Sequence, residues 1–181
     1  MNKKIVGLTF TAIFAALLSI LSVVSVPIGP VPITMSLLAI FIISMILRPK
    51  YSVTATLVYI TLGAIGLPIF SGFRSGVQTL VGPTGGFIVA YPLMALLISF
   101  AVVRLGRKVW VCAASGAVSL IVCYLLGTVW FMIVADSTFI AALTACVIPF
   151  VAVDTLKLVA ACAVTAALEK TGVCRRIDNI T

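Results

Sequence analysis

Charged residues are scarce in this sequence: four are acidic, none is histidine, and the whole charged fraction is 9%. A soluble domain usually carries about 25% charged residues, because a polar shell must cover its core. Since 63% of the chain is apolar, such a shell cannot be built, and the composition predicts that lipid surrounds the protein. The lack of histidine also argues against zinc and haem sites, so no cofactor is expected.

Several catalytic motifs are missing as well. The sequence has no G-x-x-x-x-G-K-[ST] loop for nucleotide phosphates, no H-E-x-x-H helix and no G-x-S-x-G nucleophile elbow. It also lacks the repeated halves that are common in secondary transporters. Its five cysteines have no CxxC spacing, and we expect small core residues rather than disulfides. These absences favour a binding protein without its own energy source over an enzyme.

Long apolar runs dominate what the sequence does contain. A membrane-spanning helix needs about 20 apolar residues, whereas a barrel strand alternates apolar and polar residues over about ten positions. The runs do not alternate, so they predict an all-α integral membrane protein with one domain, residues 1–181. The six predicted transmembrane helices are 5–26, 34–47, 51–67, 86–103, 109–135 and 149–168.

The last apolar stretch, 138–168, is too long for one helix and contains Pro149. Proline is tolerated in the first turn of a helix but costs about 3 kcal/mol in its interior. We therefore expect the sixth helix to start at Pro149 and residues 138–148 to form a short external or re-entrant segment. The first run is expected to be a retained helix, since its core of about 22 residues exceeds the 7–15 of a signal peptide.

Lysine and arginine collect on one side of the predicted helices. That side carries ten of the twelve: Lys3, Lys4, Arg48, Lys50, Arg104, Arg107, Lys108, Lys170, Arg175 and Arg176. Positive charge marks the cytoplasmic side of membrane proteins, so both chain ends are expected in the cytoplasm. The net charge of +8 is then a topology signal, and no nucleic-acid partner is expected.

Asp154 and Lys157 stand three residues apart in the sixth predicted helix, which places them on one face. A charged residue inside a span costs at least about 2.5–3.5 kcal/mol on insertion scales and by default marks a functional site. Counted from Pro149, Asp154 lies about 8 Å below the outer end of the helix, within reach of a ligand from outside. The alternative is a self-neutralising pair that only fixes helix packing.

Two weaker features complete the candidate residues. The glycine- and proline-rich loop 68–85 holds Arg74, the only outward basic residue outside the spans. Its guanidinium could pair with a carboxylate, or it could belong to a plain solvated loop. Ala12 and Ala16 form a small-xxx-small pair that lets another helix approach closely, although alanine is common in membrane helices generally.

Four short motifs, read together, resemble a known family. They are PVPIT (30–34), GLPIFSG (66–72), GPTGGF (82–87) and PF (149–150), the last followed by Asp154 and Lys157. This set resembles the BioY family, the biotin-specific substrate-binding subunits, or S components, of energy-coupling-factor (ECF) transporters. The resemblance covers nearly the whole chain. Its most specific part is the combination of G-P-T-G-G with the D-x-x-K pair.

The sequence departs from the family pattern at five positions. Ser36 stands where the family often has glutamine, Phe73 and Ser75 replace loop glycines, and Ala152 and Val153 replace the usual Pro-Gly before the aspartate. These departures bear on loop geometry and ligand affinity more than on the class of vitamin.

The resemblance implies a six-helix protein of the bacterial plasma membrane. It implies that the protein captures biotin from outside and works with one membrane scaffold subunit and two ATPase subunits. Ala12 and Ala16 would face the scaffold. Some family members are thought to import biotin without the ATPases, and the sequence leaves that question open.

Biotin offers a carboxylate, a ureido group, and an apolar ring and chain. In the implied site Asp154 accepts a ureido N–H, Lys157 donates to the ureido carbonyl or to Asp154, and Arg74 meets the carboxylate. Three aromatic residues cover the ring: Phe70, Phe87 and Tyr91. Ordinary packing against lipid or core is the alternative for these aromatic residues.

Three other functions compete with biotin capture. They are capture of another small vitamin, a membrane enzyme that uses Asp154 and Lys157 as acid and base, and a pore. No uninterrupted line of polar residues supports the pore.

Overall fold

The computed structural model describes residues 3–27, 29–174 and 177, without the side chains of Lys3 and Lys4. The predicted topology residues Arg175 and Arg176 lie outside this description. Within it, eight α-helices follow one another: α1 Lys3–Val23, α2 Ser36–Ile46, α3 Pro49–Ala64, α4 Val77–Val81, α5 Gly85–Leu105, α6 Val109–Ala135, α7 Phe139–Cys146 and α8 Ile148–Lys170. Two short strands, β1 Ser25–Val26 and β2 Ile33–Thr34, pair antiparallel between α1 and α2.

Four of the six predicted spans are helices long and apolar enough to cross a membrane: α1, α5, α6 and α8. The other two are shorter, because α2 has 11 residues and α3 has 16. The predicted start of the second span at residue 34 falls in β2, where Thr34 pairs with Ser25. The first predicted span likewise ends early, at Val23, because residues 25–26 form β1.

The region around Pro149 agrees with the sequence prediction. Pro149 occupies the first turn of α8, where its missing N–H costs no helical hydrogen bond. The preceding segment forms the short helix α7, whose N-cap residue Thr138 accepts a hydrogen bond from the backbone N–H of Ala141. The apolar stretch 138–168 is therefore divided into two helices, α7 and α8, as predicted.

The segment predicted as the loop 68–85 contains regular structure. A 3₁₀ turn spans Ser71–Phe73, and α4 follows. Gly76 precedes α4 with φ of 81°, a conformation that costs other residues free energy. Its backbone N–H donates to the carbonyl of Gly63 at 2.7 Å, so this segment is tied to the end of α3.

Helix α2 lies at the centre of the bundle and packs against α1, α3, α5 and α8. Its sequence, SLLAIFIISMI, is apolar around the whole circumference, as expected for a buried helix. Nine of its residues are buried. Neighbouring helices therefore cover most of the α2 surface.

Arg107, in the turn between α5 and α6, joins the ends of two other helices, α2 and α8. Its Nε donates to the Met45 carbonyl and its Nη2 to the Ile46 carbonyl, both at 2.8 Å. Its Nη1 lies 3.8 Å from Glu169 Oε2, near the end of α8. The guanidinium thus satisfies carbonyls that the end of α2 leaves without helical partners.

The same end of the molecule collects the other described bases of the helix termini, and we call it the basic end. They are Arg48, Lys50, Arg104, Lys108 and Lys170. The opposite end, where α1 and α3 finish and α5 and α8 begin, is called the cavity end.

At the cavity end the G-P-T-G-G segment packs closely on α6. A Cβ atom on Gly86 would overlap the Trp130 side chain, and one on Gly85 would overlap the Leu80 carbonyl. Trp130 Nε1 donates to the Gly82 carbonyl at 2.9 Å. Glycine is therefore required at both positions, because a side chain would overlap Trp130 of α6 at Gly86 and the backbone of α4 at Gly85. This contact fixes the turn that carries Thr84 and the first residues of α5.

Candidate functional site

The cavity end encloses a cavity between the β1–β2 hairpin, the 68–85 segment and helices α1, α2, α3, α5, α6, α7 and α8. The empty volume between its lining side chains, counted to its open mouth, is about 680 Å³. Its walls carry both polar and apolar side chains, a mixture that is typical of sites for small organic molecules.

One wall of the cavity carries the predicted charged pair. Lys157 Nζ lies 2.7 Å from Asp154 Oδ1, and the two side chains are only 5% and 1% exposed. Tyr124, on α6, donates its hydroxyl to Asp154 Oδ2 at 2.8 Å. Both carboxylate oxygens are thus hydrogen-bonded, which stabilises a charge that would be costly to bury alone.

Sequence reasoning missed Tyr124, although its ring and hydroxyl line the cavity. The residue stands inside a 27-residue apolar helix with no motif around it. The role of Tyr124 depends on how α6 and α8 pack side by side, and the spacing of residues within one helix does not predict that packing.

The opposite wall carries hydroxyl groups. Tyr91, a predicted site residue, shares a hydrogen bond of 2.9 Å with Ser36, and Ser36 in turn bonds to Thr34. Tyr59 is hydrogen-bonded to Ser22. The rings of Tyr59 and Tyr91 are neighbours, with centroids 6.3 Å apart.

This wall also contains Ser36, one of the predicted departures from the family pattern. Ser36, which stands where glutamine is common, bonds to the tyrosine hydroxyl and does not line the cavity itself.

Arg74 lies at the mouth. It lines the cavity and also an outer crevice formed with residues such as Ser75, Gln78 and Pro83. The Arg74 carbonyl accepts a hydrogen bond of 3.0 Å from the Phe70 N–H, which fixes the turn between them. Ser71 also lines the cavity, and its buried Oγ has no hydrogen-bond partner among the described residues. A hydroxyl in this state is available to a ligand.

Five of the predicted ligand-binding residues meet at this one cavity: Arg74, Phe87, Tyr91, Asp154 and Lys157. Phe70 is placed differently. Its ring is fully buried and packs edge-on against Tyr59 at 5.4 Å, over the space left by Gly63. Phe70 therefore packs behind Tyr59, on the side away from the cavity, and is not among the lining residues.

The predicted docking residues Ala12 and Ala16 are exposed on α1. Ile13 and Ile20 on the same helix are exposed as well. This surface is directed away from the bundle, and its small residues leave the α1 backbone open to close approach.

All five cysteines are buried, as predicted for small core residues. Within residues 3–27, 29–174 and 177, no group of three or more potential ligands could hold a metal ion.

The fold and the cavity define a class: a helical membrane protein that encloses a small-molecule cavity near one end of its bundle. The chain matches the BioY family over residues 1–172 and belongs to this family. It is therefore a multi-pass membrane protein.

Relatives and a solved structure agree with this assignment. The chain is 34% identical to the biotin transporter BioY2 of Lactococcus lactis subsp. cremoris, over 87% of each chain. It is 37% identical to the biotin transporter BioY of Thermotoga maritima, over 87% of this chain and 92% of that one. A crystal structure described as the S-component for biotin from an ECF-type ABC transporter matches with a TM-score of 0.86, at 25% identity and 92% coverage of both chains.

Proposed function

We propose that this protein is the biotin-binding S component of an ECF-type importer. The observation that carries the proposal is the buried Asp154–Lys157 pair, held by Tyr124 in the wall of the cavity. Relatives that are named biotin transporters and a matching S-component structure support the ligand and the class of transporter.

The charged wall suits a ureido group. Lys157 has two N–H donors left after its bond to Asp154, and one of them is suited to the ureido carbonyl. Asp154 keeps lone pairs beyond its two observed bonds, and these can accept a ureido N–H. Charge-assisted hydrogen bonds of this kind are stronger than neutral ones.

The opposite end of biotin would point to the mouth. Arg74 is exposed there, and a guanidinium matches the two oxygens of a carboxylate. Tyr91 and Phe87, with Phe150 on α8, provide apolar surface between the two ends. Biotin would thus bind with its ureido group inward and its carboxylate outward.

We expect the lining of the cavity to adjust when a ligand binds. The part of the lining with the fewest helical constraints is the 68–85 segment, which contributes Ser71, Arg74 and Thr79. We expect this segment to move when biotin enters.

The proposed topology has six crossings in one domain, residues 1–181, with both chain ends in the cytoplasm. The basic end would face the cytoplasm, since positive charge is retained there. Helices α2 and α3 would complete the crossing together with the irregular segments at the cavity end, while α7 stays on the outer side.

The chain would depend on partners for energy. We propose that one membrane scaffold subunit and two ATPase subunits complete the importer, and that the Ala12–Ala16 surface of α1 meets the scaffold. Exposed small residues permit close helix packing in a membrane.

The competing functions receive less support. The relatives are named as transporters, which disfavours a membrane enzyme built on Asp154 and Lys157. Another vitamin remains the alternative that binding experiments must separate from biotin.

A panel of ligands tests the proposal. Purified protein is titrated with biotin, with 2-iminobiotin, whose ureido carbonyl is replaced by an imine, and with biotin amide, which lacks the carboxylate charge. We expect 2-iminobiotin to bind much more weakly, because Lys157 loses its acceptor, and biotin amide to lose less, because Arg74 is solvent-exposed. Equal affinity for biotin and 2-iminobiotin would contradict the assignment of the charged wall.

A further inference from the structure

The two tryptophans of the chain both lie on α6, at positions 110 and 130. Twenty residues of α-helix rise about 30 Å, the thickness of a bilayer's hydrocarbon core. Trp110 is 62% exposed and follows the basic residues Arg107 and Lys108. Tryptophan concentrates at membrane–water interfaces, so Trp110 and Trp130 serve as markers for the two edges of the hydrocarbon layer.

Helix α3 does not reach the outer marker. It starts beside Lys50 at the basic end, and its 16 residues rise only about 24 Å. The start of α3 and the end of α5 lie at similar heights along the bundle, since Ser52 near the start of α3 donates a hydrogen bond of 3.1 Å to Ser99 near the end of α5. About 6 Å of the hydrocarbon layer is thus left above α3.

Helix α4 occupies this remaining layer. Its start is tied to α3 by the bond from Gly76 N–H to the Gly63 carbonyl. Its end is followed by Gly82, whose carbonyl accepts from Trp130. Helix α4 therefore lies between the top of α3 and the level of Trp130.

The outward face of α4 is apolar. Val77 and Val81 are four residues apart, so they share a face, and they are 60% and 58% exposed. Ile65 and Leu67, which follow α3, are exposed beside them. No charged residue occurs from 75 to 103. This surface would be unfavourable in water and suits lipid.

The inner side of α4 belongs to the cavity. Thr79 lines the cavity, and Leu80 packs against the buried core. Non-helical backbone at membrane depth is tolerated where it lines a cavity or is tied to protein, and the flanks of α4 meet this condition through Gly63 and Trp130.

We propose that α4 is an interfacial helix whose Val77 and Val81 contact the acyl chains of the leaflet at the cavity end, together with Ile65 and Leu67. The partner is the lipid bilayer itself. One wall of the cavity is then a single short helix with lipid on its other side. The proposal rests on the membrane placement of the bundle and is independent of which ligand the cavity binds.

Fluorescence quenching tests this placement. Val77→Cys and Val81→Cys are each labelled with bimane in proteoliposomes that contain brominated phosphatidylcholine, and aqueous iodide serves as the second quencher. The five native cysteines are buried, and wild type treated with bimane in the same way checks that they do not react. Gln78→Cys is the matched control, because Gln78 lines the outer crevice one residue away. Ile121→Cys, exposed at the centre of α6, is the lipid control.

We expect the Val77 and Val81 labels to show at least about half of the bromolipid quenching seen at Ile121→Cys and little iodide quenching. The Gln78 label should be quenched mainly by iodide. Iodide quenching at positions 77 and 81 equal to that at 78, without bromolipid quenching, would overturn the proposal. Labels shielded from both quenchers would show that protein covers this surface and would overturn the proposal as well.

The native tryptophans give a second readout that needs no label on α4. In Trp110→Phe, which keeps Trp130 alone, bromines near the headgroup should quench Trp130 more strongly than bromines near the chain ends. Stronger quenching by bromines near the chain ends would show that Trp130 does not lie at the outer edge of the hydrocarbon layer, and the depth inferred for α4 would then be wrong.

Discussion

Asparagine in place of Asp154 keeps the shape of the side chain and removes its negative charge. In the folded protein this residue is 1% exposed and accepts hydrogen bonds from Lys157 at 2.7 Å and Tyr124 at 2.8 Å. The amide oxygen can still accept from Lys157, but the ammonium group loses its counter-charge. The charge that would orient the ureido group of biotin is lost with it.

The expected loss of biotin affinity is large. Removing one partner from a desolvated, charge-assisted hydrogen bond costs about 2–5 kcal/mol, which corresponds to about 30- to 5,000-fold in the dissociation constant. Isothermal titration of detergent-purified Asp154→Asn measures this directly. Size-exclusion chromatography on the same sample shows whether the protein is folded and monodisperse.

Tyr124→Phe separates ligand binding from packing in the same network. It removes one hydrogen bond to Asp154 and leaves the charged pair in place, so we expect a smaller loss of affinity, about tenfold, from about 1.5 kcal/mol. If both variants kept the wild-type dissociation constant in monodisperse protein, the Asp154–Lys157 pair would be a packing element and the site assignment would be wrong.

Three further predictions concern other parts of the molecule. Arg74→Gln should weaken biotin binding about fivefold, because an exposed ion pair contributes at most about 1 kcal/mol. The affinity for biotin amide should not change. An equal loss of affinity for both ligands, measured by titration, would assign Arg74 a purely structural role. Ala16→Trp should abolish concentrative uptake of radiolabelled biotin without changing binding, since a bulky side chain blocks helix approach; normal uptake would exclude this face of α1 as the docking surface. Arg107→Gln should lower the free energy of unfolding by about 2 kcal/mol or more, because two charged hydrogen bonds to the end of α2 are lost. Biotin affinity should stay unchanged, because the cavity lies at the other end of the bundle. An unaltered melting curve would contradict the role given to Arg107.

The long helices were predictable because their apolar runs are uninterrupted and end at charged or turn-forming residues. The predicted fifth run, 109–135, coincides with α6, and Pro149 marked the start of α8 because proline fits only the first turn of a helix. Lysine and arginine at the run ends predicted which helix termini share one end of the bundle. Arg107 then joins two of those termini, α2 and α8.

The short elements were not predictable in the same way. Each strand of the β1–β2 hairpin has two residues, which leaves no periodicity to detect. Helix α4 has five residues between glycines, so its composition resembles a loop.

Within the site, charge made Asp154 and Lys157 conspicuous, whereas the role of Tyr124 depends on how α6 and α8 are placed side by side. Phe70 was predicted to cover the biotin ring, with ordinary core packing as the alternative. The space left by Gly63 draws its ring into the core instead.

The central claim is that the cavity holds biotin, and native mass spectrometry of the purified protein tests it most directly. The chain is produced in cells supplied with biotin and is released from detergent under gentle conditions. The account predicts one bound molecule with the mass of biotin, which is lost in Asp154→Asn. A different bound vitamin, or an empty protein that fails to take up added biotin, would contradict it.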